Sequence, residues 1–159
     1  MTDSERERRF RRVTEIDCAT DTVWATVTTQ PGINRELSPY LRMTMPRTFR
    51  GRSIADVEPG TRIGKSWLLL FGILPFGVDD ITIAEITPGR MFREVSRMTG
   101  MRTWIHHRTL EPAGQATIVT DEITFASRLP VQGLGALMAA ILSAFFAHRH
   151  RRLRRVVAR

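Results

Sequence analysis

What most constrains this chain is residues 130–157, PVQGLGALMAAILSAFFAHRHRRLRRVV, an apolar run that turns abruptly basic. Pro130 supplies the φ that a helix start needs. No glycine or proline follows Gly135, and alanine, leucine, methionine and arginine all favour a helix. Leu134, Leu137, Met138, Ile141, Phe145 and the stem of Arg152 recur at spacings of three and four, which predicts one buried face. Such a helix is about 35 Å long and needs a broad apolar surface to lie on.

The segment before it supplies that surface. Over residues 61–125, short alternating stretches are punctuated by turn signals at 72–77, Pro88-Gly89, Thr99-Gly100 and Pro112-Ala113-Gly114. That spacing predicts antiparallel hairpins, with strands over 62–71, 78–86, 91–97, 102–111 and 116–125. Further upstream, 10–18 alternates as a first strand. Residues 21–29 and 33–37 read as two short helices separated by Pro31-Gly32, 41–45 as another strand and 46–60 as loop with room for a short edge strand. Residues 1–9 read as a frayed tail, leaving one domain over 10–157. An antiparallel sheet with helices segregated to one face is an α+β layout. A curved sheet wrapped around one long helix leaves internal space that side chains do not fill.

Charge and cysteine usage narrow the function classes. Cys18 is the only cysteine, so no internal disulfide forms and a reducing, cytoplasmic setting is expected. The apolar runs 67–78 and 133–147 fall short of the roughly 20 residues that span a bilayer. Net charge is +8, and six of the last eleven residues are arginines. Cations at a helix C-terminus complement its dipole, so a solvated helix end accounts for them. An anionic membrane surface or an acidic partner is the next reading, and nucleic acid is disfavoured because no aromatics interleave with the basic residues. No metal site is expected. His106 and His107 point to opposite faces of a strand, His148 and His150 diverge on a helix, and neither a Cys cluster nor HExxH is present. No nucleotide-binding glycine motif and no cofactor signal is found.

Several strings carry a family likeness: SWLLLFGILPF at 66–76, W-x-H-x-R-x-L-E-P at 104–112, V-T-D-E at 119–122 and FFAHRHRRLRR at 145–155. Together with the element order they resemble the START-like or SRPBCC superfamily, in a bacterial cyclase/dehydrase-like branch. The likeness covers about residues 10–155. It implies the helix-grip fold: a curved antiparallel sheet wrapped around a long C-terminal helix, with two short helices after the first strand. It also implies either ligand binding or cyclase/dehydrase chemistry, since members bind or transform very different ligands.

Strand parity gives an independent expectation for the cavity wall. On the last strand Asp121, Ile123 and Phe125 share the more apolar face with Val119. Closing the 111–116 hairpin with Glu111 opposite Ala116 puts His106 opposite Asp121, and makes Trp104, His106 and Arg108 interior. Phe92 and Glu94 share a face on the next strand, with Glu94 beside His106. Asp79, Ile81 and Ile83 follow, then Trp67, Leu69 and Phe71; Met138, Ile141 and Phe145 close the cavity from the helix. The lining is thus apolar and aromatic with a polar cluster of Glu94, His106, Arg108 and Asp121. That cluster reads as a self-satisfied ionic network, as an orienting site for a ligand's polar group, or as a His106–Asp121 acid/base pair. The expected function is binding or carriage of an apolar or amphipathic small molecule. The alternatives are a cyclase/dehydratase-like enzyme using His106 and Asp121, and an interaction module acting through the C-terminal helix. Because Ala139, Leu142 and Phe146 are apolar as well, a second helix face is expected to be free for a homodimer or for peripheral contact with an anionic membrane.

Overall fold

The computed structural model describes residues 7–158. Seven antiparallel strands, β1 (Arg8–Ile16), β2 (Leu41–Met43), β3 (Thr61–Leu70), β4 (Leu74–Thr87), β5 (Met91–Met98), β6 (Met101–Ala113) and β7 (Ala116–Ser127), form one sheet in the order β1-β7-β6-β5-β4-β3-β2. Helices α1 (Thr20–Val27) and α2 (Gln30–Leu37) follow β1, and α3 (Leu134–Val157) follows β7. The curved sheet grips α3, which packs on β1, β7 and α2. This is the α+β helix-grip arrangement.

Several boundaries differ from expectation; β4, for one, starts at Leu74 inside the expected 72–77 turn. Most of the 1–9 tail lies outside the described residues, but Arg8 and Arg9 already pair with Phe125 and Thr124 in β1. Pro31-Gly32 does not separate two helices. It sits in the first turn of α2, where a proline costs no hydrogen bond, and Thr29 Oγ1 accepts from the Gly32 N–H at 3.3 Å. Residues 46–60 hold two single 3₁₀ turns, Arg47–Phe49 and Ile54–Asp56, and in place of an edge strand a single bridge from Ser53 to Thr29.

Register decides which side chains face α3. The β6–β7 turn is the two-residue Gly114-Gln115, with Ala113 opposite Ala116 and Gly114 at φ +64°. Asp121 therefore stands opposite Arg108, and His106 opposite Ile123, two positions from the expected pairing. An even slip keeps every side chain on its face. Glu94 stands opposite His106.

On β3 the outcome is different. Register shifts at Arg62/Gly64, where Gly64 takes φ +115°, and again at Leu68/Leu69. A bulge inserts one residue and exchanges the two faces beyond it. Ile63, Ser66 and Leu68 are consequently the buried residues of β3, while Trp67 is 53% exposed. Only glycine adopts such a φ without strain, and a Cβ here would stand 3.2 Å from Pro46 Cγ.

Helix α3 is also rotated from the expected face. Phe146, Arg149, His150 and Leu153 are buried, and Leu142 faces the interior, whereas Leu137 and Ile141 are more than half exposed. Arg149 is not one of the solvated helix-end charges. Phe146, expected on a free second face, packs edge-on against His106 and Phe10.

The buried apolar residues form three clusters rather than one. Ile16, Val23, Trp24, Phe92 and Leu153 pack beneath α1. Phe49, Ile54, Ile63, Ile81 and Ile83 pack under the 3₁₀ turns. Trp104, Ile123, Phe125 and Phe146 join the sheet to α3. The gap between the clusters is the cavity.

Candidate functional site

A cavity of about 310 Å³ lies between the sheet, α2 and α3. Its wall is predominantly apolar, and five of the chain's seven methionines contribute to it: Met43, Met45, Met98, Met101 and Met138. Unbranched thioethers adapt to ligands of different outline. The volume falls at the small end of ligand-binding cavities, roughly 300–1,000 Å³.

Asp79, Ile81, Phe92, Glu94, Trp104, His106, Met138 and Phe145 line this space. The other expected lining residues do not. Trp67 and Phe71 point to solvent and Leu69 is half-buried off the cavity, because the β3 bulge exchanged the faces of that strand. Phe71 also leaves the strand at φ 52°, its N–H donating to the Tyr40 carbonyl at 2.7 Å. Ile141 is 59% exposed on the outer side of α3. Ile83, Ile123 and Phe125 are buried in packed clusters rather than at the wall. Arg108 and Asp121 lie on the predicted face but beneath the wall, where other side chains cover them.

Those two residues anchor an ionic network that ties five elements together. The Asp121 carboxylate accepts from Arg108 Nε and Nη2 at 2.7 Å each, from His106 Nε2 at 2.8 Å and from His150 Nε2 at 2.7 Å. Arg108 Nη1 and Nη2 also donate to the two oxygens of Glu36 on α2, at 2.8 and 3.0 Å. Arg149 on α3 reaches Glu36 at 3.2 Å, and the other ring nitrogen of His150 meets Thr14 Oγ1 of β1 at 2.8 Å. Two carboxylates balance two guanidiniums in a fully buried setting, the pairing that burial of charge demands. Burial alone would push Asp121 up, but Arg108 and His106 hold it well below the usual carboxylate range. Glu36 is lowered in the same way, against burial, by Arg108 and Arg149. Burial works against the charge of Arg108 too, and the two carboxylates more than offset it.

Sequence reasoning missed Glu36, Arg149 and His150. Arg149 and His150 had a legible signal: Leu142, Phe146 and Leu153 set a helical stripe that passes through 149 and 150. Glu36 had a weaker one, since its neighbours Ile33 and Leu37 both face the cavity.

A second polar group stands apart from that network. Asp79 on β4 is 1% exposed, lines the cavity and has no hydrogen-bond partner for Oδ1. Its cross-strand partner Ser66 is fully buried with an equally unpartnered Oγ. Asp79 lies within hydrogen-bonding reach of Ser96 and Glu94 on β5, and Ser96 Oγ donates to Glu94 Oε1 at 2.6 Å. Burial first and the neighbouring Glu94 second push Asp79 up to about 9. His106 Nδ1 is 3.9 Å from Glu94 Oε2. Its Nε2 is engaged by Asp121, and the ionised carboxylate requires the proton on that nitrogen. Among the described residues, no group of three or more His, Cys, Asp and Glu side chains is arranged to hold a metal ion.

A curved antiparallel sheet, a gripped C-terminal helix and a cavity between them make up the helix-grip fold. The chain belongs to the family described as a domain of unknown function, DUF8410, whose model matches residues 14–157. Among solved structures it is similar to protein CV1439 from Chromobacterium violaceum (TM-score 0.70, 15% identity, covering 96% of this chain and 97% of that one). A START superfamily protein from Mycobacterium smegmatis matches at TM-score 0.69 and 13% identity, covering 94% and 97%. The Zhui aromatase/cyclase from Streptomyces sp. R1128 matches at TM-score 0.68 and 10% identity, covering 96% and 94%. These likenesses establish the fold. No curated protein matches the sequence. Among the described residues no helix is long and apolar enough to cross a membrane.

Proposed function

We propose that this protein binds and carries an apolar or amphipathic small molecule in the cavity between the sheet and α3. One observation carries the reading: a methionine-rich apolar cavity with a few polar side chains in its wall, the composition of a small-molecule site. The single cysteine favours a reducing, cytoplasmic setting for this role. Acid/base catalysis by His106 and Asp121 is less well supported. Asp121 accepts four hydrogen bonds and His106 spends Nε2 on it, which suits a positioning network better than proton exchange with a substrate. Native mass spectrometry of protein purified without denaturation, followed by solvent extraction, tests the binding reading. A copurifying apolar compound that leaves on extraction is expected; bare protein mass from every preparation, with no uptake of added apolar compounds, would count against it.

A second reading concerns the surface. Leu137 and Ile141 on the outer side of α3, with Leu129 and Val131 just before it, are exposed apolar side chains. Exposed patches of this kind mark interaction surfaces, and self-association through α3 in a two-fold dimer is the simplest use. Peripheral contact with an anionic membrane is the competing use.

A further inference from the structure

We propose that the Asp79–Glu94 wall is a subsite for a protonated amine, so that the cavity's ligand is an apolar body bearing a basic nitrogen. This rests on the binding reading above and adds the chemistry of the ligand's polar end. Two carboxyl side chains face one apolar cavity from adjacent strands, bridged by Ser96. The guanidiniums near the cavity pair with the ionic network rather than with this wall, and Arg149, which lines the cavity, keeps a buried Nε without a partner. Arg149 pairs with Glu36 at 3.2 Å and lies 4.8 Å over the Phe146 ring, and Arg108 is saturated by Glu36 and Asp121. Among the described residues the one ionic neighbour of Glu94 is His106, at 3.9 Å, and none stands within ion-pair distance of Asp79.

The wall thus carries the Glu94 charge with His106 as its nearest ionic partner, at 3.9 Å, next to a buried Asp79 oxygen with no partner. Buried polar groups in native folds find partners, and each exception needs an explanation. An ammonium group supplies it. Its N–H bonds would reach Asp79 Oδ1 and Glu94 while its charge offsets the carboxylates, and its apolar body would lie against Met98, Met101, Trp104 and Met138. Asp79 is displaced upward first by burial and second by the neighbouring Glu94, and a bound cation would oppose both. A fatty acid or other anionic ligand would meet repulsion at this wall.

Displacement of the neutral fluorophore prodan near neutral pH tests the inference, with n-decylamine, n-decanol and n-decanoate as competitors of matched length. Decylamine is expected to bind about tenfold or more tighter than decanol, with decanoate weakest. Asp79→Asn and Glu94→Gln are each expected to bring decylamine within about threefold of decanol measured on the same variant. Equal affinities, a preference for decanoate, or an amine preference that survives both substitutions would overturn this inference alone. If prodan and decanol also fail to bind, both it and the binding reading beneath it fall. The wild-type comparison stands without the variants, so a poorly folding variant does not blunt the test.

Discussion

Asp79 concentrates the physical tension of the molecule in one side chain. Its carboxyl ionises near pH 4 in an unfolded chain but at about 9 in the fold, chiefly because it is buried and secondly because Glu94 is close. Between those values unfolding releases a proton, so stability falls as pH rises, by up to about 1.4 kcal/mol per pH unit. Asp79→Asn should remove that slope, melting above wild type at pH 8 and level with it at pH 4. Thermal melts across this range check it; parallel curves for the two proteins would show an ionised Asp79. Asp121 and Glu36 behave oppositely. Their folded values are depressed, so their contribution is complete above about pH 4–5 and is lost as pH falls through the lowered values. Asp121→Ala leaves Arg108 and two histidines facing an emptied site and should cost about 3–5 kcal/mol. A melting temperature within a degree or two of wild type would contradict the buried network. The Glu94, His106, Arg108 and Asp121 face was legible because Val119, Asp121, Ile123 and Phe125 form the more apolar side of β7, and hairpin pairing carries that parity to β6 and β5. Glu36 was not, because a carboxylate on a short polar helix reads as solvated until the arginine it meets is known to lie under it.

At the level of elements, the misread faces share a physical cause. The stretch Trp67–Leu70 is apolar on both sides, so period-two alternation has no contrast, and the Gly64 bulge then exchanges the faces. Residues 133–147 of the C-terminal segment are apolar all round, so spacing alone does not orient the helix. Its phase is set further along, where Leu153 is isolated among arginines and fixes the stripe through 149, 146 and 142. The β6–β7 slip did no harm because it was even. Gly64→Ala should therefore be costly out of proportion to its size: φ +115° and the Pro46 contact make a Cβ strained there, at roughly 1–3 kcal/mol. Chemical denaturation measures it, and a neutral effect would mean the bulge relaxes freely. On the outer face of α3, Ile141→Ser should leave the melting temperature nearly unchanged, since Ile141 is mostly solvated. If α3 is the self-association surface, the same substitution shifts sedimentation toward monomer at micromolar concentration. A wild type that sediments as a monomer and ignores anionic vesicles would remove both surface readings.

Across the whole molecule, the helix-grip architecture follows from a few coarse signals: turn residues at regular spacing, one long unbroken helix and the order in which they come. Its relatives at 10–15% identity share that architecture and little else in sequence. What the architecture leaves unfilled is the space that the proposed function uses. Three apolar clusters border a cavity of about 310 Å³ instead of merging, and the ionic network of Glu36, Arg108, Asp121 and Arg149 holds α2 and α3 against the sheet around it. Occupancy of that cavity is the central claim. Titration of prodan into wild type and into Leu142→Trp, which places an indole where Leu142 lines the cavity, tests it most directly. Saturable one-to-one binding to wild type, weakened about tenfold or more in the filled variant, is the predicted result; no saturable binding, or equal binding by a folded Leu142→Trp protein, would contradict it.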